Sequence, residues 1–173
     1  MGEILSKLRE SQFLSTVFPL DVWISRWAGS KIRVEYTDDM AQMPTKSSKG
    51  AAGYDLFCGE EKTIEPYSGA TKIRTGIILE IPSHLYGKIE SRSGIALNTN
   101  LMVVGGVIDS DYRGEIYILV RNLGPEKILI KTGTRIAQII LMRQYASEYR
   151  FIRAPIENCT ERGEGAFGSS GGF

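Results

Sequence analysis

Apolar and polar residues alternate over short runs along most of this chain, and that period of two decides what it can fold into. Ile32, Val34 and Tyr36 alternate, as do Ile77, Leu79 and Ile81, and again Ile116, Ile118 and Val120. Side chains two apart share one face of a strand, so each run describes a half-buried strand. Turn residues separate the runs at Pro66-Tyr67-Ser68-Gly69, Pro82-Ser83, Gly105-Gly106, Leu123-Gly124-Pro125 and Thr132-Gly133. That spacing belongs to a sandwich, jelly roll or barrel. From Lys31 onward the expectation is therefore an all-β body. The run Ile136-Ala137-Gln138-Ile139-Ile140-Leu141 is apolar on both faces and needs cover from a second sheet or another subunit.

One domain accounts for 173 residues, and 42% apolar content builds a core without disulfides or a structural metal. Cys58 and Cys159 stand alone, without a second cysteine or a histidine at ligand spacing; the expectation is two reduced thiols in an intracellular protein and no zinc site. No apolar run reaches membrane-spanning length, and the amino terminus lacks the layout of a secretory signal, so a soluble chain with no membrane partner is expected. A net charge of +1 gives no generic grip on a nucleic-acid backbone, while the 21 Lys and Arg can still gather around a small anion. Free mononucleotides stay within reach as ligands; nucleic acid does not.

Residues 1–30 differ in kind. Ile4, Leu5 and Leu8 lie at helical spacing, and Trp23 and Trp27 are four apart. A short helix and arm folded onto the body is the expectation, with a protein-binding element as the alternative. Met1-Gly2-Glu3-Ile4-Leu5-Ser6 fits the short N-myristoylation pattern, read here as coincidence, and Glu3 and Glu10 count against a mitochondrial presequence. Cytoplasm and nucleus are both left open.

Chemistry concentrates in five segments. Val104-Gly105-Gly106-Val107-Ile108-Asp109-Ser110-Asp111-Tyr112-Arg113-Gly114 reads as a glycine hairpin running into two carboxylates and a tyrosine. Its glycines let backbone approach a ligand without Cβ interference. Ala51-Ala52-Gly53-Tyr54-Asp55-Leu56 offers an aspartate after a flexible approach; Ser91-Arg92-Ser93-Gly94 joins a guanidinium, a hydroxyl and an amide; Arg135-Ile136-Ala137-Gln138 places a glutamine beside a strand. Singly, an Arg-Ser-Gly triplet is usually a turn and a lone aspartate usually a cap or a solvated charge. The tail from Arg162 to Phe173 is too glycine-rich to fold alone. It reads either as a linker or as a flap, with Arg162 for phosphate, Phe167 for stacking, and glycine and serine donors for phosphate oxygens.

Taken in order, the five segments resemble the five motifs of the trimeric dUTPases, over about Ala51 to Gly171. The resemblance implies a distorted jelly-roll (β-clip) subunit, residues 31–158 being the β domain and 159–173 a flap over a neighbouring subunit's site. It implies a homotrimer with shared active sites and hydrolysis of dUTP to dUMP and pyrophosphate, with Mg2+ gathering the triphosphate oxygens. Asp109 then matches the water-activating aspartate and Gln138 its helper. Arg92, Ser93 and Gly94 match phosphate holders, Arg162 the γ-phosphate clamp, Ser169 and Ser170 nearby donors with Gly168 also at the substrate, and Phe167 the ring stacked on uracil. The backbone of Gly105, Gly106 and Val107 matches the uracil reader, and Tyr112 the ring that leaves no space for a 2′-hydroxyl. Asp55 is read as an outer-shell contact to Mg2+ through water, with no direct metal ligand. Asp111 is expected to hold the strand end through local hydrogen bonds, and Arg113 to pair with a carboxylate.

The chain departs from that pattern in places. Ser91 stands where proline is usual, which removes a preset φ; Ala166 stands before the flap aromatic where glycine is usual, and Ser170 replaces a threonine. Two rivals follow: a nucleotide-sensing or partner-binding relative, motivated by residues 1–30, and a dCTP deaminase. The deaminase needs a glutamate at the position of Leu119, and leucine cannot shuttle a proton.

Overall fold

The computed structural model describes residues 31–146 and 149–156. Expectations for residues 1–30, for Cys159 and for Arg162, Phe167, Gly168, Ser169 and Ser170 lie outside the described residues. The strands are β1 (Arg33–Tyr36), β2 (Tyr54–Phe57), β3 (Lys62–Ile64), β4 (Thr71–Glu80) and β5 (Leu85–Ser91). After the helix α1 (Ser93–Asn98) come β6 (Leu101–Val103), β7 (Val107–Ile108), β8 (Glu115–Asn122), β9 (Ile128–Ile130) and β10 (Arg135–Arg143). One sheet has the order β1-β4-β8-β6, the second β2-β10-β5-β7, and β3 pairs with β9. The result is an all-β body, as the alternation and its turns imply, with the jelly-roll-like β-clip form that the resemblance implies.

The core forms where the period of two places it. On β4 the buried side chains are Ile73, Thr75, Ile77 and Leu79, with Gly76 buried between them where the strand is irregular, and on β8 Ile116, Ile118, Val120 and Asn122. They join Leu56, Ile89, Ile136, Ala137 and Ile139 of the second sheet in one apolar cluster, apart from the two polar members. Each large aliphatic side chain so buried contributes about 1.5–3 kcal/mol relative to staying in water. Thr75 and Asn122 are tolerated because their polar atoms are matched: Thr75 Oγ1 donates to the Ile116 carbonyl at 2.6 Å, and Asn122 Nδ2 to the Glu126 carbonyl at 2.6 Å. Asn122 Oδ1 accepts the Gly124 amide at 2.9 Å. Strand β10 lies between β2 and β5; its Ile136, Ala137 and Ile139 are buried in the core, while Ile140 and Leu141 are half-buried.

Two local expectations are corrected. Gly105-Gly106 is not the tip of a hairpin: β6 pairs with β8 in one sheet and β7 with β5 in the other. The glycines form a corner by which the chain changes sheets, and φ values of 71° and 125° at Gly105 and Gly106 explain why glycine stands there. Ser93-Gly94 is not a turn but the start of α1, with Arg92 extended at the N-cap.

A polar cluster pins the irregular middle of β4, where the register to β8 shifts between Arg74 and Ile78. Glu115 Oε1 accepts the Gly76 amide at 2.9 Å and Arg74 Nε at 3.1 Å, while Tyr117 donates to Oε2 at 3.1 Å. Arg74 also meets Asp38 at 2.6 Å. Burial pushes the Glu115 carboxyl up, but the Gly76 amide, the Arg74 guanidinium and the Tyr117 hydroxyl outweigh it and hold it below its ordinary value. A carboxyl lowered on folding stabilises the fold fully above its unfolded pKa, about 4.3, and loses that contribution as pH falls through the folded value. Glu115→Gln is therefore expected to cost about 1–3 kcal/mol in urea unfolding at neutral pH, with the gap to the parent closing below about pH 4. A gap independent of pH would sink the assignment.

Candidate functional site

Strand β10 gathers three of the five segments. Gln138 lies opposite Asp55 on β2 and opposite Glu90 on β5, and directly paired residues share a face of the sheet. On that face Asp55, only 6% exposed, is held between two guanidinium groups. Its Oδ1 meets Arg92 Nε at 2.8 Å and its Oδ2 meets Arg135 Nη1 at 3.3 Å. Arg92 Nη1 donates to the Arg135 carbonyl at 2.9 Å, and Gln138 Nε2 donates to the Ser91 carbonyl at 3.1 Å. Gly53 completes the cluster by having no side chain: a Cβ there would lie 2.6 Å from Gln138 Oε1. Asp55 thus fixes the direction of Arg92, whose remaining N–H groups stay available, and the first amides of α1, at Ser93 and Gly94, have no acceptor within the helix. A fixed guanidinium beside unsatisfied amides is suited to phosphate oxygens.

With both carboxylate oxygens of Asp55 engaged by arginine, its position is that of an arginine anchor. Among the described residues no group of three or more His, Cys, Asp or Glu could hold a metal ion. Mg2+ usually keeps several waters and is bound through one or two carboxylates together with substrate phosphates.

The second part of the site is the corner. The Gly105 amide and carbonyl take part in no hydrogen bond among the described residues, and the residue is exposed. Its neighbours are committed: Val104 N–H donates to the Leu119 carbonyl and the Gly106 carbonyl accepts the Ile89 amide, both at 2.8 Å. A Cβ on Gly106 would lie 2.8 Å from Ile89 Cβ, so only glycine brings the corner this close to β5. An open donor and acceptor on a fixed backbone can read the edge of a planar heterocycle.

Past the corner, Asp109 is exposed and its carboxylate has no hydrogen-bond partner among the described residues, while its carbonyl accepts the Tyr112 amide at 3.2 Å. Tyr112 donates its hydroxyl to the Glu115 carbonyl at 3.1 Å and lies over Gly114, where a Cβ would collide with the phenol. The ring is thereby set in one orientation. Two expectations change here. Arg113 donates to the Ser110 and Tyr112 carbonyls at 2.7 and 2.9 Å instead of to a carboxylate. Asp111 is exposed and makes no local hydrogen bond among the described residues; it lines an open cleft of about 450 Å3 with Lys31, Arg33 and Arg113.

Arg135 and Gly53, though inside the quoted segments, were not singled out by sequence reasoning; the pairing of β2 with β10 assigns them, and a sequence does not display that pairing. Within one chain, no hydrogen bond or ion pair among the described residues joins the side chains of Asp109 and Tyr112 to those of Asp55, Arg92 and Gln138.

A family model described as dUTPase matches residues 39–171. The deoxyuridine 5'-triphosphate nucleotidohydrolase of Swinepox virus is 47% identical over 131 residues, covering 76% of this chain and 90% of that protein. The Mus musculus protein of the same name is 40% identical over 143 residues, covering 83% and 86%. The structure of Staphylococcus bacteriophage 80alpha dUTPase with dUPNHPP superimposes with a TM-score of 0.74 at 30% identity, over 83% of this chain and 99% of that one.

Proposed function

The chain belongs to the dUTPase family, and from that premise we propose how its residues divide the work. The reaction is hydrolysis of dUTP to dUMP and pyrophosphate, so the chain is a dUTP diphosphatase. Water attacks the α-phosphorus, the bond to the bridging oxygen of the β-phosphate breaks, and the proton of the water passes to a base. Asp109 is that base: it is exposed, follows the corner directly, and its carboxylate is committed to nothing else among the described residues. Gln138 orients the water and an α-phosphate oxygen from a side chain already held by Ser91. Arg92, steered by Asp55, and the Ser93 and Gly94 amides hold the leaving pyrophosphate, where preorganised donors count most.

The observation that carries this reading is the open Gly105 backbone edge between committed neighbours. It accepts and donates to uracil as a paired base would, with Gly106 and Val107 continuing the edge, and it mismatches cytosine. Tyr112, held by Glu115 and Gly114, excludes a 2′-hydroxyl. Arg162, Phe167, Gly168, Ser169 and Ser170 close over the bound nucleotide, and Mg2+ arrives as the magnesium complex of dUTP. The likeness of the five motifs to those of the trimeric dUTPases implies a homotrimer, in which neighbours supply parts of each complete site. Leu119, beside the corner, offers no proton for deamination.

Purified protein supplied with dUTP, dCTP, dTTP or UTP, with and without Mg2+, tests the whole. Pyrophosphate release from dUTP should exceed that from each competitor by at least about 100-fold and fall on chelation. Ammonia release from dCTP would overturn the reading.

A further inference from the structure

We propose that Ser91 is a positioning residue that couples the phosphate-holding segment to the base-reading corner; the proposal rests on the reading of that corner given above. Ser91 is the last residue of β5 and lies opposite Ala137 in the ladder with β10. Since Ala137 is part of the core, the Ser91 side chain also points to the inner side of its sheet. There it meets the other sheet. The Val103 amide, at the end of the edge strand β6, donates to Ser91 Oγ at 3.1 Å.

This bond has a counterpart two residues back on the same strand, where the Ile89 amide donates to the Gly106 carbonyl at 2.8 Å. Strand β5 thus grips the corner on both flanks, at Val103 before it and Gly106 after it, and leaves Gly105 as its open point. The same serine also touches the phosphate side. Its carbonyl accepts Gln138 Nε2 at 3.1 Å, and its chain neighbour Arg92 is the guanidinium tied to Asp55 at 2.8 Å. A proline at this position would fix φ but carry no hydroxyl to accept the Val103 amide. In this chain a hydrogen bond between the sheets provides the restraint, and it ties β5 to the end of β6.

The consequence is specific. Without the hydroxyl, Val103 loses its acceptor, the entry to the corner loosens, and the Gly105 edge is no longer held at one distance from the bound base. Binding and base choice should suffer, while the chemical step, which depends on Asp109, should not. Ser91→Ala is expected to raise KM for dUTP about three- to tenfold and to lower the preference for dUTP over dCTP by a similar factor, the range one neutral hydrogen bond spans. The kcat should stay within about twofold. Amide hydrogen exchange at Val103 should quicken about tenfold, and Ser91→Thr, which keeps the hydroxyl, should restore all three.

Wild-type KM, preference and Val103 exchange in Ser91→Ala would overturn the proposal. So would a lowered melting temperature with unchanged KM, since that marks a merely structural serine. Gly105→Ala separates the two layers of the argument: its Cβ would meet only Leu119, at 3.6 Å, but a φ of 71° strains any residue that carries a Cβ, so the backbone donor and acceptor remain while their pose shifts. If Gly105→Ala leaves the preference for dUTP intact, the base-reading role falls and the Ser91 coupling with it. If Gly105→Ala abolishes the preference while Ser91→Ala does not change it, the coupling alone falls.

Discussion

Asp109→Asn is expected to slow dUTP turnover by about 10²- to 10⁴-fold while dUTP still binds, the range lost with a positioned general base. The substitution keeps the shape of the side chain and removes its basicity. The turn is untouched, because the Tyr112 amide bonds the main-chain carbonyl of residue 109 and not the carboxylate. The fold should not notice the change either: the group is exposed and without a hydrogen-bond partner among the described residues, so the stability difference should stay within about 0.5 kcal/mol. Single-turnover kinetics beside equilibrium binding of a nonhydrolysable dUTP analogue checks both halves. Near wild-type turnover would remove Asp109 from the mechanism, and loss of binding would show that it holds the nucleotide instead.

Ending the chain after Glu161 should cost turnover about 100-fold or more and leave the folded body intact. The residues removed include Arg162 and Phe167, proposed above to close over the bound nucleotide as a charged partner for the triphosphate and a ring for the base. Charge-assisted hydrogen bonds to phosphate are the strong kind, and closure excludes water that does not take part in the reaction. The core gives the contrast. Among the described residues its buried members run from Ala41 to Ile139, and a tail this rich in glycine adds little apolar surface to bury, so the unfolding midpoint should move by no more than about 2 °C. A truncated protein that unfolds would place the tail in the core, and one that turns over at the parental rate would leave the flap without a purpose.

How much of this was legible beforehand varies from one residue to the next. The alternation on β4 and β8 was, because burial there follows directly from a period of two. The five segments were also visible, since their chemistry is local. The grouping of Asp55 with Arg92 and Arg135 was not, because it depends on which strands flank β10, and that choice is made by long-range packing. The glycine corner was misread as a hairpin for a related reason. Glycine announces a positive φ, but whether the strands on either side pair with each other or with third parties is decided elsewhere. Ser91 looked like a loss of stiffness when judged by its own backbone, and its hydroxyl found a partner twelve residues away.

The open backbone of Gly105 has an evolutionary consequence. An enzyme that chooses its base through a side chain can change its choice by changing one codon. On the reading proposed above, the choice is written in atoms that every residue carries, so substitution offers no alternative letters, only a worse or better copy of the same contour. What descent must preserve is the pose of one peptide unit and the supports that keep it there. Drift should therefore be freest in the side chains beside the corner and most restricted in small residues and hydroxyls that never touch the base.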